Sequence, residues 1–230
     1  MQAKHIYFLH AQENHDTAAL LRAELQSSFL VWHENSAAEQ MEQQLAAQRF
    51  GKEQAVALVL ISDNFLKSAD CMKRLLVFTQ EENLPLLMPV LIDGKQLTED
   101  GQTVSVPTEI SAIQNIIYYR DFWYDEWIRL RKQGNFATED ELREIEAQKN
   151  FSKKMQPMMN TILRHINNSL PLSLEQLRAD NYEALFSRLG LAELSVAERS
   201  LSLRQAIAVE EAAAEEEYTQ PFVDNTPLND

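Results

Sequence analysis

The stretch that decides the fold runs from Ala55 to Phe78 and reads AVALVLISDNFLKSADCMKRLLVF. Its first part, residues 56–61, is apolar without interruption, which is typical of a strand buried on both faces of a parallel sheet. A short polar turn follows, in which Ser62, Asp63 and Asn64 can cap the helix that comes next, because their side-chain oxygens accept hydrogen bonds from the free N–H groups of a helix start. That helix is expected to open at Ser68 and to carry Cys71. The stretch therefore predicts a strand, a short turn and a helix.

The first 120 residues repeat this alternation. Strands are predicted at residues 5–10, 29–32, 56–61, 86–92 and 113–118, and helices at residues 16–28 and 37–50 and from residue 68 onward. Short connections between these elements predict an α/β, flavodoxin-like domain with a central five-stranded parallel sheet and helices on both faces. The sequence has neither a G-x-G-x-x-G pattern nor a P-loop, so nucleotide binding through a glycine-rich loop is not expected.

The rest of the chain is predicted to be helical. We divide the chain into an α/β domain, a helical extension packed on it and an acidic helix with a disordered tail, which cover residues 1–133, 134–192 and 193–230. Thr138 and Glu141 are spaced as a capping box that opens a long helix over residues 139–168. The third part holds nine acids and two bases, and this composition fits a solvated tail or a contact for a basic partner.

Composition excludes several classes of partner. The net charge of −14 argues against general nucleic-acid binding, which requires cations to neutralise phosphates. No apolar run reaches the roughly 18–20 residues that a membrane-spanning helix needs. Cys71 is the single cysteine and has no partner for an internal disulfide, and residues 1–5 lack a signal-peptide core. A cytoplasmic location is therefore expected.

Residues 56–75 resemble the third strand and third helix of a TIR (Toll/interleukin-1 receptor) domain of bacterial type. That family often ends the strand in Leu-Ser-Pro-x-Tyr and continues with x-Ser-x-Trp-Cys-x-x-Glu-Leu. The residues that hold their places here are Ser62, Phe65, Leu66, Ser68, Cys71 and Leu75. The family's glutamate does not hold its place, because Arg74 occupies the position.

Other matches extend the resemblance to residues 4–133. The segment Tyr7–Ala11 matches the first box of the family but lacks its serine, and Leu30–Glu34 matches the second strand and its exit. The glycine usual in the loop after that strand is missing. The resemblance implies a pocket or interface formed by His10, Ala11, Trp32, Glu34, Ser62, Ser68, Cys71 and Arg74.

The resemblance implies one of two activities. Many TIR domains cleave NAD at the nicotinamide–ribose bond, and the glutamate of their Cys-x-x-Glu motif stabilises the oxocarbenium-like charge that develops. Others are signalling adaptors that assemble with themselves or with another TIR protein. Because Arg74 brings a permanent cation to the glutamate position, the sequence favours a catalytically degenerate assembly protein without a cofactor.

Two alternatives stay open. The first is an NAD glycohydrolase of bacterial defence or stress signalling, with NAD as its substrate and a displaced carboxylate at work. Glu34 and Glu82 are the main fallback carboxylates, followed by Asp70 and Glu81. The second is an unrelated flavodoxin-like or nucleotide-sensing module, which the absence of a phosphate-binding loop disfavours.

Cys71 and the histidines are interpreted as structural. No sequence signature pairs the cysteine with any histidine, so Cys71 is predicted to lie near a helix start against the core. The histidines show no metal-ligand spacing, and His5 and His10 are expected on opposite faces of one strand. No metal site is predicted.

Overall fold

The structure, a computed structural model, describes residues 4–25, 30–34, 38, 40–43, 54–79, 87–134 and 138–188. Its strands are Lys4–Leu9 (β1), Leu30–Glu34 (β2), Gln54–Ile61 (β3), Leu87–Leu91 (β4), Gly94–Leu97 (β5), Thr103–Val106 (β6) and Leu172–Ser173 (β7). Its helices are His15–Leu25 (α1), Asp63–Lys67 (α2), Ala69–Phe78 (α3), Ile113–Gln133 (α4), Glu139–Asn168 (α5), Leu174–Ala179 (α6) and Glu183–Arg188 (α7). A short 3₁₀ turn covers Gln12–Asn14.

Five of the strands form one parallel sheet in the order β2-β1-β3-β4-β7. Counted along the chain within this sheet, the order is 2-1-3-4-5, which is the order of flavodoxin-like doubly wound folds. The α/β class and the five-stranded parallel sheet are thereby confirmed. Strands β5 and β6 form a separate antiparallel hairpin, which the sequence analysis did not predict.

Helices cover both faces of the sheet, as predicted. Successive side chains of a strand point to opposite faces, and β1 shows this directly. Leu9 packs in one buried cluster with Trp123 of α4, whereas Phe8 packs in a second cluster with Leu21 of α1 and Leu177 of α6. The first cluster also contains residues of α3 and α5.

The pair α4 and α5 closes the first face. Trp123 is 1% exposed, its Nε1–H donates to the carbonyl of Leu66 at 3.2 Å, and Phe151 meets its ring edge-on. Helix α5 confirms the predicted helix over residues 139–168. At its start Glu141 accepts hydrogen bonds from the backbone N–H and the hydroxyl of Thr138, so the predicted cap is present.

The predicted fifth strand is wrong. Residues 113–118 are the first turns of α4, and the fifth strand is β7, which pairs with β4 near the end of the described chain. The run of isoleucines suggested a strand, but Ile116 packs in the same cluster as Tyr119 and Trp123, at helical spacings of three and seven. The chain after residue 120 is therefore not helical throughout.

Some predictions fall outside the described residues. The predicted helix over residues 37–50 is described only at residues 38 and 40–43, which are helical. The acidic segment over residues 193–230 lies entirely outside the described ranges. The division of the chain into three parts stays a prediction.

Candidate functional site at the carboxyl edge of the sheet

A buried histidine connects the carboxyl ends of β1 and β2. His10 follows β1 directly and is 2% exposed. Its Nδ1–H donates to the carbonyl of Ala11 at 3.0 Å, and its Nε2 lies 2.9 Å from Oε1 of Glu34, the last residue of β2. Because ligands of open α/β sheets bind outside the carboxyl ends of the strands, this pair occupies a position suited to function.

Both oxygens of the Glu34 carboxylate are engaged. Oε1 faces His10, and Oε2 accepts a hydrogen bond from Nη1 of Arg22 at 2.7 Å. Burial is the largest single influence on the pKa of the Glu34 carboxyl and raises it. The hydrogen bonds and charges of His10 and Arg22 lower this pKa and together outweigh burial. The pKa of the Glu34 carboxyl is consequently lowered from its ordinary value, so Glu34 is an anion at neutral pH.

A second histidine reaches the same point. His15 is the first residue of α1 and is exposed, and its ring centroid lies 5.7 Å from that of His10. One ligand-type atom from each of His10, His15 and Glu34 lies within 4.8 Å of the other two. Two imidazoles and a carboxylate are donors that divalent transition metals accept.

Ser62 belongs to the frame of this edge. It is fully buried and caps α2 by accepting a hydrogen bond from the backbone N–H of Phe65 at 3.1 Å. Its hydroxyl donates to Oδ1 of Asn14 at 2.7 Å, and Nδ2 of Asn14 donates to the carbonyl of Asp93 at 3.0 Å. Asn14 therefore joins the turn after β1 to the ends of β3 and β4.

Ser68 and Cys71 begin α3 as predicted. The Ser68 hydroxyl accepts a hydrogen bond from the backbone N–H of Cys71 at 3.3 Å. Cys71 is 4% exposed, and its Sγ lies 3.6 Å from the carbonyl oxygen of His10, to which it donates. Burial raises the pKa of the Cys71 thiol, although Ser68 and the charge of Arg74 act in the opposite direction. A buried, protonated thiol fits packing and not nucleophilic chemistry.

Arg74 and Trp32 flank this region. Arg74 is half-buried one turn beyond Cys71 on α3, and its place in the implied pocket or interface stays a prediction. Trp32 is half-buried in β2, where its ring meets the edge of Phe8. The guanidinium of Arg22 lies 5.9 Å from the centroid of the Trp32 ring, so Trp32 supports a residue that binds Glu34.

The fallback carboxylates are differently placed. Glu34 is held at the carboxyl edge, as described above. Asp70 is exposed on α3, where Nζ of Lys73 donates to its Oδ1 at 3.3 Å. Glu81 and Glu82 lie outside the described residues.

A cavity of about 710 Å³ lies at the other end of the same edge. Its walls are the ends of β4 and β7, the β5–β6 hairpin and the start of α6. Both cationic side chains of its lining have partners, because Lys95 bonds Asp16 and Arg178 bonds Glu24. Its volume suits a small molecule, but none of the eight residues that the resemblance implies lines it.

Comparisons with protein-family models, curated proteins and solved structures find no match to this chain. Of the helices that the structure describes, none combines the length and apolar character needed to cross a membrane. The class of protein is thus defined by the fold alone: an α/β protein with a five-stranded parallel sheet.

Three residues of this edge were not predicted from the sequence: Asn14, His15 and Arg22. His15 and Arg22 are seven residues apart on α1, which is about two turns and places them on one helix face. That spacing was a readable signal. The burial of Asn14 was not, because asparagine in a turn is ordinarily exposed.

Proposed function

We propose that this chain is a TIR-type signalling protein that assembles with itself or with another TIR protein and has lost NAD-cleaving chemistry. The observation that carries the proposal is the half-buried cation Arg74, one turn beyond a buried Cys71. The thiol of Cys71 contacts the carbonyl of His10 at the end of β1, so Arg74 lies on a helix that starts at the carboxyl edge.

Charge explains the expected loss of chemistry. Cleavage of the nicotinamide–ribose bond develops positive charge on the ribose, which a nearby carboxylate stabilises. A guanidinium stays protonated at any working pH and opposes that charge. Among the described fallback carboxylates, Glu34 is engaged by His10 and Arg22, and Asp70 is exposed beside Lys73.

An apolar strip on α4 supports assembly. Ile113, Ile117 and Tyr124 are 68%, 41% and 48% exposed. Their spacings of four and eleven residues put them within about 40° of one another around the helix, with exposed Arg120 between Ile117 and Tyr124 on the same side. Exposed apolar side chains that lie together on one face are typical of surfaces that bind another protein, and a second copy of this chain is the partner that the proposal names.

The chemical half of the proposal is tested by nicotinamide release from NAD at high protein concentration. The wild type is expected to be inactive and Arg74→Glu to gain activity, because a carboxylate then replaces the guanidinium. Lys73→Glu is the matched control, since it makes the same charge change on an exposed neighbour and is expected to stay inactive.

Cleavage by the wild type contradicts the proposal and favours the NAD glycohydrolase. Glu34→Gln then identifies the carboxylate at work, because activity that depends on Glu34 is lost in this variant. Equal gains in Arg74→Glu and Lys73→Glu would show that net charge, and not the position of Arg74, controls activity.

The assembly half is tested by light scattering over a range of protein concentrations. The wild type is expected to self-associate, and Ile117→Asp to weaken that association at least tenfold, because it buries a charge in the interface. Leu97→Asp is the matched control, since Leu97 is 70% exposed and belongs to β5 and not to α4. A wild type that stays monomeric, or an equal loss in both variants, contradicts assembly through α4.

A further inference from the structure

We propose that His10, His15 and Glu34 bind one Zn²⁺ ion at the carboxyl edge of the sheet. The three side chains come from the end of β1, the start of α1 and the end of β2. Their ligand-type atoms lie within 4.8 Å of one another. The site is independent of the proposed assembly function, because it involves neither Arg74 nor the strip on α4.

The separation of two of the three ligand atoms suits a tetrahedral zinc ion. Zinc binds histidine nitrogen and carboxylate oxygen at about 2.0–2.1 Å, so its tetrahedral ligand atoms are about 3.3–3.4 Å apart. Nε2 of His10 and Oε1 of Glu34 are 2.9 Å apart, and the ligand atom of His15 lies within 4.8 Å of both. The two atoms therefore need to separate by only a few tenths of an ångström for zinc to replace the proton between them.

The surrounding hydrogen bonds orient the first two ligands. Nδ1–H of His10 donates to the carbonyl of Ala11 at 3.0 Å, which leaves Nε2 as the ligand atom. A metal-bound histidine ordinarily donates its other N–H to such an acceptor. Arg22 holds Oε2 of Glu34 at 2.7 Å, so the carboxylate offers Oε1 alone. The charge of Arg22 opposes the ion, but its side chain is 47% exposed, so water weakens this repulsion.

The third ligand distinguishes a metal site from an ordinary ion pair. The pair of His10 with Glu34 needs no second imidazole, yet His15 lies at the same point. Within the part of the chain that the structure describes, the imidazole of His15 has no hydrogen-bond partner, whereas its backbone N–H donates to the carbonyl of Gln12. Because His15 is exposed, the fourth zinc position faces solvent and is open to water, the arrangement of zinc sites with three protein ligands.

Isothermal titration of the full, tag-free chain with Zn²⁺ tests the proposal. The wild type is expected to bind one ion per chain, and His15→Ala and Glu34→Gln to bind at least tenfold more weakly, because each loses a ligand. His165→Ala is the matched control, since it removes a histidine of α5 that is not in the cluster, and it is expected to bind as the wild type does. Co²⁺ should give the visible spectrum of a tetrahedral nitrogen and oxygen site in the wild type and not in His15→Ala.

Thermal unfolding separates a lost ligand from a lost fold. Exposed His15 is not needed for packing, so His15→Ala is expected to melt as the wild type does without metal. Zn²⁺ should raise the melting temperature of the wild type and leave that of His15→Ala almost unchanged. Absence of one-to-one binding by the wild type overturns the proposal, as does a His15→Ala variant that binds equally well. Loss of binding in His5→Ala alone also overturns it, because the ion would then belong to the His5–His33 pair.

Discussion

The two ends of the carboxyl edge differ in how they are filled. At the ends of β1 and β2, side chains bond directly to one another, and His10, Glu34 and Arg22 form one connected group. At the ends of β4 and β7, the hairpin and α6 surround a cavity of about 710 Å³. Asn14, in the turn after β1, connects the two ends. It accepts a hydrogen bond from Ser62, which follows β3, and donates one to the carbonyl of Asp93, which follows β4.

The two ends are stabilised by different interactions. The closed end, at β1 and β2, is held by charges and hydrogen bonds between side chains. Its contribution to stability should therefore change with pH and with metal ions. The open end, at β4 and β7, depends on a close contact between backbones. The β5–β6 hairpin passes so near α2 that its first residue, Gly94, has no room for a Cβ atom unless its neighbours shift. The open end should respond to added volume and much less to pH.

The largest effect is expected for Gly94→Ala at the open end. A Cβ atom there would lie 2.8 Å from Oδ1 of Asn64 and 2.9 Å from Cβ of Asp63. Asn64 cannot move freely, because its side chain bonds both backbone groups of Lys95. We expect the free energy of unfolding, measured with urea, to fall by about 1–3 kcal/mol.

Gly134→Ala is the matched control for that substitution. A Cβ atom on Gly134 would lie 3.7 Å from Cγ2 of Ile145, an ordinary contact, and the backbone at Gly134 is helical. We therefore expect no loss, or a gain of up to about 1 kcal/mol. Equal losses in the two variants would show that the hairpin does not depend on the close approach at Gly94.

A smaller effect is expected for Glu34→Gln at the closed end. Because the folded-state pKa of Glu34 lies below its ordinary value of 4.5, the charged group stabilises the fold above that value and ceases to do so as pH falls through the folded-state pKa. The wild type should exceed Glu34→Gln in unfolding free energy by about 1 kcal/mol near pH 6, and the difference should shrink as the pH falls below 4.5. Urea unfolding at several pH values measures it.

If the difference in unfolding free energy between the wild type and Glu34→Gln stays constant with pH, the role given to His10 and Arg22 is contradicted. It would mean that Glu34 contributes through packing and not through its charge. The two ends would then not differ in how much electrostatic interactions contribute to their stability.

The fold was largely predictable because its signals are local. An uninterrupted apolar run marked β3, and the hydroxyl of Ser68 caps α3, the helix predicted to open there. Ser62 caps a helix as predicted, but this helix is the short α2, which occupies the place of the expected polar turn. The errors have local causes too. Residues 113–118 are too few to separate a strand from a helix start by composition, and β7 has only two residues, which leave no periodic pattern.

The site was predictable only in part. The resemblance placed His10 and Glu34 in one pocket or interface, and the structure brings these two side chains within 2.9 Å of each other. Their functional role stays a prediction. His15 was not selected, because no spacing rule connects it to a carboxylate on another strand. The β5–β6 hairpin was also missed, since its short strands lack an apolar alternation.

The sequence by itself determined the alternation of strands and helices, the caps at Ser62 and Ser68 and the cation at position 74, because each depends on residue identity and near neighbours. Only the tertiary structure decided that His10, His15 and Glu34 meet. A parallel sheet places chain-distant strand ends side by side, and the turn after β1 brings His15 back to them. Contacts of that kind depend on the path of the chain in space, which spacing along the sequence does not record.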